Sequence, residues 1–281
     1  MRKLNLPVEN AIDVFDKCIS KVSNTILKDR LENCKPSIVT AEVDYTTKAS
    51  IIELHTIVPH NSINGNVTKE EMIKVYSDRM VGATSPGRYI YDKWRASAPN
   101  NICPLCAQRT TETLEHHLPK SKYPIYSIVP INIFPACSSC NKIKLDLVVN
   151  SPEREPIHPY FDDVDDELWL KAAVIETKPA SIKFYTVKPD NWDDIKYARV
   201  ENHFRLFELE KLYASHSAEE LTINNFRINN LFESGGVLSV RNFLEGSWLS
   251  MRNANVNSWQ TATYEALFNS NWYQEGGFKS E

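Results

Sequence analysis

No long apolar run occurs in this sequence. None of its stretches approaches the roughly 20 residues that a helix needs to cross a bilayer, and the opening Met1-Arg2-Lys3-Leu4-Asn5-Leu6-Pro7 lacks the apolar core of a secretory signal. A cytoplasmic protein without a membrane partner is expected. Nor is there an excess of charge of one sign: 32 Lys and Arg against 36 Asp and Glu leave a formal net charge of −4. That balance excludes nucleic-acid binding by a basic whole-molecule surface, so any such binding must be local. Internal repeats and low-complexity tracts are absent, which removes the solenoid and disordered classes. Cysteines number six. In a reducing compartment, the four that form two Cys-x-x-Cys pairs fit metal chelation better than disulfides. Cys18 and Cys34 stand alone and read as buried or free thiols.

What is present is an ordinary globular composition, 42% hydrophobic and 24% charged over 281 residues, enough for one large domain or two to three small ones. Ile12, Phe15, Ile19, Val22 and Ile26 recur at three- and four-residue steps, which predicts one helix with a buried face. Ser23 and Asn24 are expected to weaken that helix without ending it, and Pro36 to lie beyond its end. Turn chemistry marks 59–66 as a loop, and Thr68 with Glu71 makes a capping box that opens a further helix. Another helix is expected at 89–96. After a proline-punctuated exit at 150–156, the stretches 168–175 and 182–187 have the β-branched and aromatic content of a hairpin. Helices are then expected at 200–213, 218–232, 237–252 and 257–269, with 214–220 a helix end and a fresh start. The fold class is therefore α+β and mainly helical, in three regions: a helical 1–100, a metal-stapled unit at 101–150, and a mostly helical α+β region at 151–281 for substrate or partner recognition.

The middle region carries the chemistry. Cys103-Pro104-Leu105-Cys106 and Cys137-Ser138-Ser139-Cys140 supply four thiolates, a tetrahedral donor set that favours zinc and leaves no open position for catalysis. The zinc is expected to be structural. Ribbon knuckles usually stand about 15 to 20 residues apart; here 30 residues lie between them, so something is inserted. That insertion contains Glu115-His116-His117-Leu118-Pro119-Lys120, and later Asn132, with Asn141 directly after the second pair. Charge around it tips slightly basic, through Arg109, Lys120, Lys122, Lys142 and Lys144 against Glu112, Glu115 and Asp146.

Glu115-His116 with Pro119, then Asn132, then Cys140-Asn141 with Lys144 shortly after, resembles the zinc-containing form of the HNH (ββα-metal) nuclease family. The resemblance implies a hairpin carrying the histidine, a loop holding Asn132 and a helix beginning near Ser138. It also implies hydrolysis of phosphodiester bonds in nucleic acid, with DNA favoured and tRNA or other RNA open. His116 would be the general base, imidazole being the side chain whose proton affinity lies nearest neutrality. Glu115 and Asn141 would hold a catalytic Mg²⁺ or Mn²⁺ through hard oxygen donors, and Asn132 would orient the base or pin the loop. Glu115 stands where an Asp is commoner in the family, which puts the metal position in doubt. Counting back three residues from Pro119 selects His116 over His117; the latter then takes a structural or phosphate-contacting role beside Lys120 and Lys144. His158, in His158-Pro159-Tyr160, could fold back as a supporting partner or an extra ligand. One difficulty is geometric: alternation along an ideal strand sends Glu115 and His116 to opposite faces, so a bulge or twist is needed to bring both to one site.

The wider layout, adding Ser121-Lys122-Tyr123-Pro124 and His158-Pro159-Tyr160 to these motifs, looks like the HNH effectors of Septu-type and retron-associated anti-phage systems. That resemblance implies an ABC-type ATPase partner that restrains or activates the nuclease. Trp248, Trp259 and Trp272, with Tyr264, Tyr273 and Phe278, could stack on bases, although burial in a helical core is the commoner fate of such residues. The acidic stretch from Asp162 to Glu167 is compatible with a protein partner. The alternative from another class is a non-catalytic zinc module that serves nucleic-acid binding or assembly.

Overall fold

Asn10 opens the first helix by accepting the Asp13 amide with its side chain. In the computed structural model, which describes residues 1–279, this helix, α1 (Ala11–Ile19), buries Ala11, Val14, Phe15, Cys18 and Ile19. It does not continue to Ile26. Asn24 is itself a cap, taking the Leu27 amide at 3.0 Å and starting α2 (Thr25–Glu32), so Ile26 falls on an exposed face. The apolar periodicity survives across the break, but a capping asparagine wins over it. Pro36 sits in the first turn of α3 (Lys35–Ser50), where its missing N–H costs nothing.

A short ribbon of β1 (Ser62–Ile63) and β2 (Val67–Thr68) leads into α4 (Lys69–Tyr76), whose capping box of Thr68 and Glu71 is complete in both directions. After α5 (Arg88–Arg95) comes the hairpin of β3 (Thr113–His116) and β4 (Ile133–Ala136), antiparallel, with Glu115 opposite Phe134 and His116 opposite Ile133. Helix α6 (Ser138–Lys144) follows at once. Leu114 and Ile133 of the hairpin and Tyr126, Ile128 and Val129 of the intervening loop belong to the same apolar core as Phe15, Ile38, Met72, Val75 and Trp94. This shared core is why 101–150 does not stand apart: Met1–Asp163 is one compact unit, and Val164–Glu281 is the other.

The second unit is built on the hairpin of β5 (Leu170–Ile175) and β6 (Ser181–Thr186), antiparallel, with α7 (Asp194–Leu206), α8 (Leu209–Ala254) and α9 (Trp259–Asn269) against it. Asn257 staples it: its Oδ1 accepts the amides of Trp169 and Leu170, and its Nδ2 donates to the carbonyls of Val164 and Glu167. The break expected at 214–220 lies elsewhere. Ser215 and Ser217 turn their hydroxyls back onto the carbonyls of Lys211 and Ala214 within the helix, and the chain changes direction earlier, at Glu208 with φ 51°. Gly236, at φ 60° and ψ −156°, divides α8 into two arms, a conformation that suits only a residue without Cβ. Trp259, Tyr264, Tyr273 and Phe278 are buried. Among the described residues, no helix is long and apolar enough to cross a membrane.

The position of Asn24 has a testable sign. As a cap it should lose about 1 kcal/mol of stability on Asn24→Ala, read as a lower Tm. In an uninterrupted helix the same change would raise the Tm, because alanine is the better interior residue.

Candidate functional site

The knuckles meet. The sulfurs of Cys103, Cys106, Cys137 and Cys140 all lie within 4.8 Å of one another and all four residues are buried. Tetrahedral zinc with bonds of about 2.3 Å needs sulfurs near this spacing, so the donor set and the geometry fit a metal ion, and zinc in particular. Each knuckle is braced by an amide aimed at sulfur, Arg109 N–H to Cys106 Sγ and Cys140 N–H to Cys137 Sγ, both at 3.4 Å. The hydrogen bond from Cys103 draws Cys106 far below the ordinary thiol range, while contacts with the other sulfurs push Cys103 and Cys140 up. Crowded sulfurs that share protons in this way are released from them by a cation. The purified chain should carry a single zinc ion by elemental analysis. Cys140→Ser or strong chelation should remove it and unfold the hairpin corner, since such binding contributes on the order of 10 kcal/mol; an ordered, zinc-free protein would contradict this assignment.

The hairpin next to the clamp is regular. Pairing runs unbroken from Thr113 to His116 against Ala136 to Ile133, without the expected bulge, so strand alternation holds and separates Glu115 from His116. His116 is 4% exposed and faces the helical core. Its Nε2–H donates to the Ser127 carbonyl at 3.1 Å, and its ring meets Tyr76 edge-on at 4.5 Å. Burial first, and the nearby Lys120 charge second, hold its pKa down at about 3, so the imidazole is neutral at physiological pH. Glu115 points the other way. Its carboxylate accepts from Lys144 Nζ at 2.9 Å, and the same ammonium donates to the His116 carbonyl at 2.6 Å. The two side chains are 1% and 7% exposed; burial raises the carboxyl's pKa and lowers the ammonium's.

Asn132 is fully used in holding the loop. Its Oδ1 accepts the Leu118 amide at 2.7 Å, its Nδ2 donates to the carbonyls of Leu118 and Tyr126 at 3.0 Å, and its own carbonyl accepts the His117 amide. Behind it stands Tyr45 of α3, a residue with no sequence signal beyond its apolar neighbours. The Tyr45 hydroxyl donates to Asn132 Oδ1 at 3.0 Å and accepts from His158 Nε2–H at 2.9 Å, while His158 Nδ1 accepts the Tyr160 amide at 3.2 Å. His158 does fold back, then, and it does so through Tyr45. Its ring also lies 4.3 Å from that of His117.

A second dyad escaped sequence reasoning. Glu155 Oε1 accepts both the backbone amide and the Nδ1–H of His55, at 2.6 and 2.7 Å. With His117 and Lys144, these two line a small cavity of about 10 Å³, room for one water at most. A buried glutamate directly after Pro152-Glu153-Arg154 carries no motif, and only the fold reveals its partner.

Asn141, on α6, donates from Nδ2 to the Leu114 carbonyl at 3.2 Å, which sets it beside the strand of Glu115 and His116. Carboxylate and carboxamide oxygens are the donors that Mg²⁺ and Mn²⁺ take. As placed they do not fit such an ion, because the Lys144 ammonium already occupies the carboxylate. Lys120 lies over the Tyr76 ring at 5.6 Å. The acidic stretch is largely engaged within the molecule: Asp162 accepts the His158 amide, Asp163 pairs with Lys3 and Asp166 with Lys196.

Similarity runs the length of the chain to Protein ea31 of Escherichia phage lambda, 27% identical over 296 aligned positions that cover 98% of this chain and all of that protein. No family model matches the chain, and no solved structure does.

The Tyr45 bridge is open to test. Tyr45→Phe removes one hydroxyl and leaves the buried His158 Nε2–H without its acceptor, an expected loss of about 1–3 kcal/mol. A double-mutant cycle with His158→Leu should show coupling; additive losses of Tm would mean that the two act separately.

Proposed function

We propose that the chain is a metal-dependent HNH endonuclease that hydrolyses phosphodiester bonds of nucleic acid, DNA in the first place, and that this closed arrangement is its resting form. The observation that carries the reading is the corner formed by β3, β4 and α6: a four-cysteine cluster brings helix and hairpin together, and the Asn141–Leu114 bond sets Asn141 against the strand that carries Glu115 and His116. Asn132 binds the Leu118 amide and carbonyl across the loop between the strands, which supports a loop-pinning role for it. His116 is the proposed general base, already neutral, with Lys120 and Lys144 as phosphate contacts, His117 and His158 as supports, and Mg²⁺ or Mn²⁺ as the cofactor. The proposed control is an ABC-type ATPase partner, as in anti-phage effectors. Full-length similarity to a phage protein supports treating both units as parts of one effector.

A specific observation favours a second reading, a non-catalytic zinc module: His116 is enclosed, with its Nε2 tied to a carbonyl, and a base with a pKa near 3 is a weak one. Purified protein supplied with Mg²⁺ or Mn²⁺ and given plasmid, single-stranded DNA and total tRNA separates the two. Cleavage is expected, reduced by about 10²–10⁴ in His116→Ala of unchanged fold. Absence of cleavage on every substrate, with the ATPase present, would establish the second reading instead.

A further inference from the structure

We infer that Lys144 is a built-in cation for the Glu115 site: its ammonium occupies the carboxylate that a divalent ion would need, and an ion enters only when the end of α6 lets that ammonium go. The inference rests on the nuclease reading above and concerns how its metal site is kept closed.

Three observations converge. The first is positional. Lys144 Nζ stands 2.9 Å from Glu115 Oε1 and 2.6 Å from the His116 carbonyl; a magnesium ion at about 2.0–2.1 Å from that carboxylate oxygen would share the space with a like charge. Ammonium and ion therefore exclude each other. The second is the size of the cavity beside Lys144, about 10 Å³, too small for a hydrated ion. Entry requires the side chain to move.

The third is a place where movement can start. Lys144 is the last residue of α6, and Leu145 caps the helix at φ 42°, a left-handed conformation that a leucine adopts only under strain. Leu145 is 68% exposed, so its own side chain does not fasten this turn. Besides its backbone bonds from Leu145 and Leu147, the turn is tied by the Ser121 hydroxyl, which donates to Asp146 Oδ1 at 2.5 Å, and Ser121 belongs to the motif loop itself. A phosphate or protein partner that engaged this loop would pull on the turn that carries the ammonium.

The test is titration of the zinc-loaded full-length protein with Mn²⁺, with free ion followed by electron paramagnetic resonance. Lys144→Met keeps the length of the stem and removes the charge; it is expected to bind Mn²⁺ at least about tenfold more tightly than the parent, and adding Glu115→Gln should abolish the gain. Equal affinity in parent and Lys144→Met overturns the inference, as does a gain that survives Glu115→Gln. Where Lys144→Met lacks zinc or near-ultraviolet dichroism, the parent protein decides. Acetylation of Lys144, read by mass spectrometry, should be blocked without Mn²⁺ and proceed at millimolar Mn²⁺; unchanged protection overturns the inference. Cleavage is scored separately and on the parent protein, because Lys144 is itself a proposed phosphate contact: a parent that cuts nothing at millimolar Mn²⁺ sinks the nuclease reading and not this one.

Discussion

The pleat of one four-residue strand decides how this site is arranged. Successive side chains of a strand face opposite ways, and β3 pairs with β4 without interruption. Leu114 and His116 therefore enter the core shared with the helices, while Glu115 meets the end of α6. Everything else follows this parity. His116 is desolvated, neutral and hydrogen-bonded to Ser127; Glu115, denied water, needs a partner and finds the ammonium of Lys144. The cysteine clamp makes the arrangement rigid, because it holds the start of α6 against the hairpin and so fixes where Lys144 can reach.

Much of this was legible from residues whose chemistry is local. Two Cys-x-x-Cys pairs announce a metal whatever the fold, Thr68 and Glu71 announce a helix start, and the β-branched stretches near 170 and 182 announce a hairpin; each signal acts over a few residues. Asn24 was misread because a cap and a weak interior residue look alike in a periodic apolar pattern, and only the Leu27 amide distinguishes them. Ser215 and Ser217 erred in the opposite direction: they resemble a break, yet their hydroxyls are satisfied inside the helix. Tyr45, His55 and Glu155 stayed invisible since their partners lie 87, 100 and 113 positions away. The boundary at 163/164 was hidden for a related reason, the motif segment having spent its apolar residues on the core of the helices before it.

Polar groups in the interior of the first unit are distributed with little slack. Asn132 gives both amide hydrogens and takes two donors, and Tyr45 gives and takes once; His158 uses both ring nitrogens. A network in which every member is satisfied has one arrangement, and a partly satisfied one has several. The motif loop is thus held from two sides, by Asn132 within the hairpin and by α3 through Tyr45, while the tautomer of His158 is set by the Tyr160 amide.

The Glu115–Lys144 pair is of another kind. Buried ion pairs seldom add net stability, since the desolvation of both charges offsets their attraction, and well-packed apolar residues of similar volume do as well or better. The unit around this pair already has a shared apolar core and four cysteines placed to bind a metal ion, a kind of site that contributes on the order of 10 kcal/mol when filled, so its folding does not call for two buried charges. Under the nuclease reading proposed above, their presence is accounted for by what a carboxylate at that spot offers once the ammonium leaves. In an apolar replacement the hairpin would stand as firmly and have nothing to offer a cation. As it stands, the pair keeps a carboxylate neutralised and dry on the face of β3 opposite His116, next to the end of α6.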